Sequence, residues 1–199
     1  MLVLDKVTCV KRDRVLFSDL CFTVNKGELV QIVGANGVGK TSLLRIIAGL
    51  AQPYEGAVFY QGQILAEDYF ADLLYLGHKK SISDNLTVLD NINSLLQLHS
   101  YSDQSELAAA ISNFSITWQQ QQLAGTLSSG QKQRAALSRL LLNNKKVWIL
   151  DEPFVALDKQ GRDCLEKLLA AQLAGGCVII TSHQALNYNL YENYKIIEL

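Results

Sequence analysis

Residues 29–42 read Leu29-Val30-Gln31-Ile32-Val33-Gly34-Ala35-Asn36-Gly37-Val38-Gly39-Lys40-Thr41-Ser42. The first five form a short apolar run of strand length, and a helical pattern continues through Leu43, Leu44, Ile46 and Ile47, so the glycine-rich piece is the loop joining strand to helix. Gly49 stands where a helix C-terminus favours a residue free to take positive φ, which predicts that the helix stops there. Residues 34–41 match G-x-x-x-x-G-K-[ST] in the strand–loop–helix setting that this pattern requires. Glycines let successive backbone N–H groups curl around phosphate oxygens, and a helix N-terminus adds positive potential. Lys40 reaches the terminal phosphates, and the Thr41 hydroxyl can ligate Mg²⁺. The segment Gly34 to Ser42 therefore predicts a cradle for a nucleoside triphosphate with Mg²⁺. A glycine-rich turn carrying an incidental lysine would not need the strand and the helix on either side.

Two later apolar runs, Val147-Trp148-Ile149-Leu150 and Cys177-Val178-Ile179-Ile180-Thr181, flank a helical stretch from about Gly161 to Leu173. A strand–helix–strand unit of that length is a crossover between parallel strands, and parallel sheets are covered on both faces. The fold class is α/β. Val3 to Val7, Leu20 to Val24 and Ala57 to Tyr60 are short, β-branched or aromatic, and separated by turn residues, which predicts a small antiparallel sheet. From Asp84 to Asn144 the sequence is mostly helix-compatible, with Leu86, Val88, Leu89, Ile92, Leu95 and Leu96 at helical spacing. This stretch reads as a helical insertion.

The chain has 199 residues, one domain's worth of sequence and enough for a core. Eighteen Lys plus Arg against nineteen Asp plus Glu leave a formal net charge of -1, which argues against nucleic-acid binding. Hydrophobic residues at 49% and charged ones at 19% exclude disorder and leave apolar surface for a partner. No stretch reaches the roughly 20 apolar residues of a membrane-spanning helix. Met1-Leu2-Val3-Leu4 runs at once into Asp5 and Lys6, too short for a secretory signal, so a cytoplasmic location is expected. Cys9, Cys21, Cys164 and Cys177 are far apart with no C-x-x-C pair and read as buried, reduced thiols.

Val147 to Leu150 delivers Asp151 and Glu152 at a strand's C-terminal end, where α/β sheets bind ligands. Asp151 can hold Mg²⁺ beside Thr41, and Glu152 can polarise a water aimed at a terminal phosphate. Alone, Asp-Glu before Pro153 would pass for a solvated turn; next to a phosphate loop it reads as the second half of a phosphoryl-transfer site. Leu127-Ser128-Ser129-Gly130-Gln131 precedes a helical run from Lys132 to Leu142, which places hydroxyls and N–H groups at a second helix N-terminus. By itself Ser-Ser-Gly is an ordinary N-cap, and His183 after Thr181-Ser182 an ordinary structural histidine.

GANGVGKTS, LSSGQ, WILDEP, Ala156-Leu157-Asp158 and Thr181-Ser182-His183, in that order, resemble the nucleotide-binding subunits of ATP-binding cassette (ABC) transporters over essentially the whole chain. LSSGQ between the phosphate loop and the acid pair is the mark of that family. The resemblance implies a P-loop NTPase core of RecA type, with a small antiparallel β subdomain and an α-helical insertion. It implies one domain over residues 1–199, with the core at about 1–77 and 145–199 and the insertion at about 78–144. It assigns Lys40 to phosphates, Thr41 and Asp151 to Mg²⁺, Glu152 to general base, His183 to the γ-phosphate and Asp158 to communication between subunits. It further implies a head-to-tail dimer, in which Ser128, Ser129, Gly130 and Gln131 of one copy close over ATP held by the other, so that ATP is hydrolysed to ADP and phosphate only when two chains pair.

Two positions depart from the family pattern. After Leu74-Tyr75-Leu76-Gly77, where most members carry a Gln that contacts Mg²⁺, this chain has His78, which takes that place among the catalytic candidates. No aromatic stands near Lys11, Arg12 and Asp13 to stack on adenine, which leaves Arg12 as the candidate platform. Losing a stacked ring costs about 1–3 kcal/mol by analogy with base stacking, part of which a guanidinium plane recovers. ATP binding is expected to survive.

Tyr75-Leu76-Gly77-His78, Asp151-Glu152-Pro153-Phe154 and Cys9-Val10-Lys11-Arg12-Asp13 are most similar to the ATPases of cytochrome c maturation. That resemblance implies a peripheral protein on the cytoplasmic face of the bacterial inner membrane, a CcmB-like integral membrane subunit with further maturation proteins, and coupling to haem export or to release of a haem chaperone. His78, His99 and His183 read as ATP chemistry or surface, and not as haem ligands. The segment from His78 to Leu96, with Ile82, Leu86, Val88 and Leu89, is the expected docking surface for the membrane partner. A soluble cassette ATPase of cofactor or Fe–S assembly is the alternative, and a nucleotide-gated scaffold without turnover is a further one that Glu152 disfavours.

Overall fold

The computed structural model describes residues 1–78, 82–98 and 104–199, and the side chains of Leu95 and Leu96 and all of His99 lie outside what it describes. In chain order the elements are β1 (Leu2–Lys11), β2 (Arg14–Val24), β3 (Glu28–Val33), α1 (Lys40–Ile47), β4 (Glu55–Tyr60), β5 (Gln63–Ile64), α2 (Glu67–Asp72) and β6 (Leu73–Leu76). There follow α3 (Val88–Leu98), α4 (Gln104–Asn113), α5 (Ser129–Leu137), β7 (Val147–Asp151), α6 (Lys159–Leu173), β8 (Cys177–Thr181) and β9 (Asn193–Glu198). Packing groups them into two compact units, residues 1–78, 145–152 and 169–199 in one and the described residues of 79–144 with 153–168 in the other. Residues 153–168, expected with the core, group here with the described residues of 79–144.

The first unit holds both sheets. β2-β1-β4-β5 is antiparallel, and its β1–β2 turn is two residues long, since Lys11 pairs with Arg14. Arg12 and Asp13 take φ of 51° and 60°, the left-handed values that a two-residue hairpin turn matched to strand twist demands. The second sheet runs β6-β7-β8-β3-β9 with all neighbours parallel. Every residue of β7 and β8 is buried, as expected of strands covered on both faces. Leu43, Leu44, Ile46 and Ile47 put the apolar stripe of α1 into one cluster with Leu2 and Leu4 of β1, Val30 and Ile32 of β3, and Ile149 and Ile179. Truncating a fully buried leucine such as Leu44 would cost about 2–5 kcal/mol. The helix ends as predicted, with Gly49 at φ 70°.

Among the described residues, three strands lie outside the set that the sequence predicts. β5 and β6 have two and four residues, too few for an alternating pattern to register. β9 is the edge beside β3, and its Tyr194 and Ile196 are about half exposed, so its sequence lacks the continuous apolar run that marks the central strands. Among the described residues, no helix is long and apolar enough to cross a membrane. One cysteine corrects the expectation of buried thiols. Cys9 and Cys177 are buried and Cys164 half-buried, but Cys21 is exposed on β2, where its Sγ accepts the N–H of Lys6 at 3.1 Å.

In the second unit Val88, Ile92, Leu107, Ile111 and Phe114 are buried. Thr87 caps α3, accepting the Asp90 N–H at 3.0 Å and donating to the Asp90 carboxylate at 2.6 Å. Buried Asn91 ties down the preceding loop, accepting from the Ser83 N–H at 2.7 Å and donating to the carbonyls of Ser83 and Thr87. The helix predicted from Lys132 to Leu142 is α-helical only to Leu137 and continues as a 3₁₀ turn over Ser138–Leu141. There the Ser138 hydroxyl donates back to the Ala135 carbonyl at 2.8 Å, and Asn143 donates to the carbonyls of Arg139 and Leu140, local bonds that compete with a regular helix.

Candidate nucleotide site

Parallel topology explains why the site assembles at one edge of the sheet. β3, β6, β7 and β8 all point the same way, so the loops leaving their carboxyl ends carry residues 34–39, His78, Glu152 and His183 to a common rim, the end where open α/β sheets hold ligands.

The phosphate loop presents Ala35, Asn36 and Gly37 to solvent, with Val38, Lys40 and Ser42 half-buried and Gly39 buried. Gly39 has a double reason to be glycine. Its φ is 123°, and a Cβ there would lie 3.1 Å from the Phe17 ring and 3.2 Å from the Leu16 Cβ. β2 therefore buttresses the loop from behind. Gly39 is also the N-cap of α1, so no side chain caps the first turn and no acid sits in it. Its N–H groups remain available to an anion. Lys40 Nζ donates to the carbonyls of Gly34 and Ala35, at 2.8 and 3.1 Å, which folds the ammonium over the loop.

Across the rim, Thr41 Oγ1 donates to Asp151 Oδ2 at 2.8 Å. A hydroxyl and a carboxylate are hard oxygen donors, and a Mg²⁺ coordinated partly by phosphate and water needs only one or two such groups from a protein. The pair fits Mg²⁺. Asp151 is 5% exposed, and its other oxygen accepts from Thr181 Oγ1 at 2.7 Å. Glu152 has φ 51°, its N–H donates to Thr181 Oγ1 at 2.9 Å, and its Oε2 accepts the His183 N–H at 3.3 Å. Its Oε1 is buried without a hydrogen-bond partner, 3.5 Å from His183 Nε2. An unpaired carboxylate oxygen is costly to bury, and a water donating a proton would satisfy it. The imidazole of His183 is about half exposed and can reach a ligand. Tyr75 of β6 has its phenol pKa raised, first by burial and then by the charge of Asp151.

Gln31 is a polar residue in the middle of apolar β3 and is 3% exposed. It donates to the Ser182 carbonyl at 3.2 Å and accepts the Tyr188 hydroxyl at 2.5 Å, which ties the segment around His183 to the central strand. The sequence assigns no role to Gln31, Tyr188 or Phe17, and Thr181 enters it only as the first residue of Thr181-Ser182-His183. Gln31 is marked as the lone amide in Leu-Val-Gln-Ile-Val. His78 is exposed just past β6, and Arg12 is exposed at the hairpin turn, while the ring that packs on the phosphate loop is Phe17.

In the second unit the LSSGQ segment opens α5. Ser128 is its N-cap in a reciprocal capping box, accepting the Gln131 N–H at 3.2 Å while the Gln131 side chain accepts the Ser128 N–H at 2.9 Å. The Ser128 hydroxyl acts there as acceptor, which leaves its own proton to donate. A Cβ on Gly130 would lie 2.7 Å from the Ala156 carbonyl, so the turn before Asp158 packs directly on α5. Arg134 of α5 donates to both carboxylate oxygens of Asp158 at 2.5 Å and to the Phe114 carbonyl at 3.0 Å. Together with the Gly161 N–H, that guanidinium holds the Asp158 pKa below its ordinary 3.8.

The ABC transporter family profile matches residues 17–155. The cytochrome c biogenesis ATP-binding export protein CcmA of Shewanella frigidimarina is 45% identical over 94% of this chain and 88% of its own length. The protein of the same name from Aliivibrio fischeri is 42% identical over 98% of both. Among solved structures, an ABC transporter ATP-binding protein from Pyrococcus furiosus superposes with a TM-score of 0.85 at 25% identity, over 98% of this chain and 96% of that one. A dimeric ATP-binding cassette in a post-hydrolysis state, bound to ADP and Pi, gives 0.85 at 24% identity over 100% and 94%, a likeness of fold. With its profile, its relatives and its fold in agreement, the chain belongs to the ABC transporter family, as one of its ATP-binding subunits.

Proposed function

We propose that this protein hydrolyses ATP to drive a membrane export complex in cytochrome c biogenesis. One observation carries the reading: an uncapped helix N-terminus with Lys40, the Thr41–Asp151 oxygen pair and the Glu152–His183 pair stand together at the carboxyl edge of one parallel sheet. Names of relatives at 42–45% identity supply the pathway and the word export.

In this reading the N–H groups of residues 37–41 and the Lys40 ammonium bind the β- and γ-phosphates. Thr41 and Asp151 hold Mg²⁺, which when bound neutralises phosphate charge. Glu152 Oε1 accepts a proton from the attacking water, and His183 orients the γ-phosphate and keeps the Glu152 carboxylate in place. His78 contributes at the rim from β6, and Arg12 is the candidate adenine platform. Ser128, Ser129, Gly130 and Gln131 serve ATP held by a second copy, with Asp158 relaying between the copies. Leu86 is 39% exposed, and in this reading it offers an apolar face to a CcmB-like integral membrane subunit. Val88, expected on that face, is 0% exposed and belongs to the core. In this reading the protein is peripheral, on the cytoplasmic side of the bacterial inner membrane.

A soluble assembly ATPase would not need such a face, and the relatives named above are export proteins. Purification of the tagged chain from bacterial membranes tests the assignment. An integral membrane protein should co-purify in stoichiometric amount and raise the ATPase rate. Full activity in a soluble fraction with no membrane protein attached would refute it.

A further inference from the structure

Thr181 closes β8, is fully buried and pairs in register with Asp151 of β7. Both sides of its hydroxyl are used. The proton goes to Asp151 Oδ1 at 2.7 Å, and the oxygen accepts the Glu152 N–H at 2.9 Å. One side chain thus holds the carboxylate of one acid and the backbone of the next.

Each bond has a consequence at the reacting edge. A carboxylate swings freely about its last bond unless an oxygen is fixed, and a charge-assisted O–H···O⁻ bond is the strong way to fix it. With Oδ1 held by Thr181, Oδ2 faces Thr41 Oγ1 at 2.8 Å. Glu152 would, in a continued strand, point to the sheet face opposite Asp151. Its φ of 51° breaks that alternation, and such a value is uncommon for a residue with a side chain. The bond from its N–H to Thr181 pins the turn at which this happens. Beyond it, Oε2 accepts the His183 N–H at 3.3 Å, and Oε1 has no hydrogen-bond partner and lies 3.5 Å from His183 Nε2.

We propose that Thr181 is a positioning residue for hydrolysis, whose single hydroxyl sets both the Asp151 oxygen offered to Mg²⁺ and the turn that presents Glu152 to the attacking water. The inference rests on the ATPase reading above. It adds a residue that touches neither nucleotide nor metal.

Thr181→Val keeps the shape and removes the hydroxyl, whereas Thr181→Ser keeps the hydroxyl and removes the methyl. Binding of a fluorescent ATP analogue should be measured with Mg²⁺ and with EDTA, beside kcat and KM. For Thr181→Val, kcat should fall roughly ten- to a hundredfold, as expected for a misplaced reacting group. The gain in nucleotide affinity on adding Mg²⁺ should shrink several-fold, and metal-free affinity should stay within about twofold, because the phosphate loop is untouched. Thr181→Ser should restore both kcat and the Mg²⁺ gain. Thr181→Ala is read in the same way should the valine variant not fold. Hydroxyl-free variants with wild-type kcat and Mg²⁺ gain would overturn the proposal, as would a serine variant as impaired as valine, which would assign the effect to methyl packing. A wild-type chain without ATPase activity would instead refute the underlying reading.

Discussion

Thr41 Oγ1 donates to Asp151 Oδ2 at 2.8 Å, joining two residues 110 positions apart. One is in the first turn of α1 and the other ends β7, so the bond exists only because β3 and β7 run parallel in one sheet with β8 between them. It turns two separate sequence motifs into one pair of hard oxygen donors, with Glu152 as the next residue along.

Glu152→Gln keeps the shape and removes the basic oxygen. Hydrolysis should fall about 10²–10⁴-fold, the usual range for losing a general base, while ATP binding holds. Single-turnover kinetics with equilibrium nucleotide binding checks this, and an unchanged rate removes Glu152 from the mechanism.

Mixed subunits test the head-to-tail pairing. Lys40→Ala and Ser128→Arg should each abolish activity alone. Mixed together, the heterodimer has one site in which both defects fall and one in which neither does, so random pairing should recover roughly a quarter of wild-type activity. No recovery in a mixture shown to exchange subunits would mean that each chain completes its own site.

Leu86→Asp places a charge on a residue that is 39% exposed, so folding and ATP binding should be little changed. The variant should leave the membrane fraction on sedimentation. Unchanged sedimentation with membranes would remove Leu86 from the docking face.

Asp158 gives a pH dependence with a definite sign. Its carboxyl titrates below the ordinary 3.8 because Arg134 and the Gly161 N–H bond its charged form. The charged form is thus favoured more in the folded chain than in the unfolded one. Its contribution is present above the unfolded pKa and is lost as pH falls below roughly 4. Asp158→Asn should flatten that part of the acid limb in thermal melts between about pH 5 and 3, where wild type declines more steeply. Parallel melting curves would show that the Arg134 pair adds nothing to stability.

Burial of Gln31 predicts a further cost. Tyr188→Phe removes the donor to Gln31 Oε1 and leaves a buried amide oxygen short of a partner, which should destabilise the protein by about 1–3 kcal/mol in urea unfolding. A loss well below that range would mean that Gln31 finds another donor.

Much of this molecule is legible locally. The strand, loop and helix at 28–47, the run that ends in Asp151 and Glu152, and the cap at Ser128 each declare themselves within a dozen residues, because backbone geometry, hydrophobic period and capping are short-range properties. That sufficed for an α/β fold and a phosphate loop. The tertiary structure alone decided that Phe17 backs Gly39, that Thr181 joins Asp151 to Glu152, that Gln31 reaches Ser182 and Tyr188, and that four-residue β6 and the half-exposed edge β9 complete the parallel sheet. Hydrogen bonds and packing between residues tens to more than a hundred positions apart leave no periodic trace in the chain, and they arise only once the sheet has set which strands are neighbours.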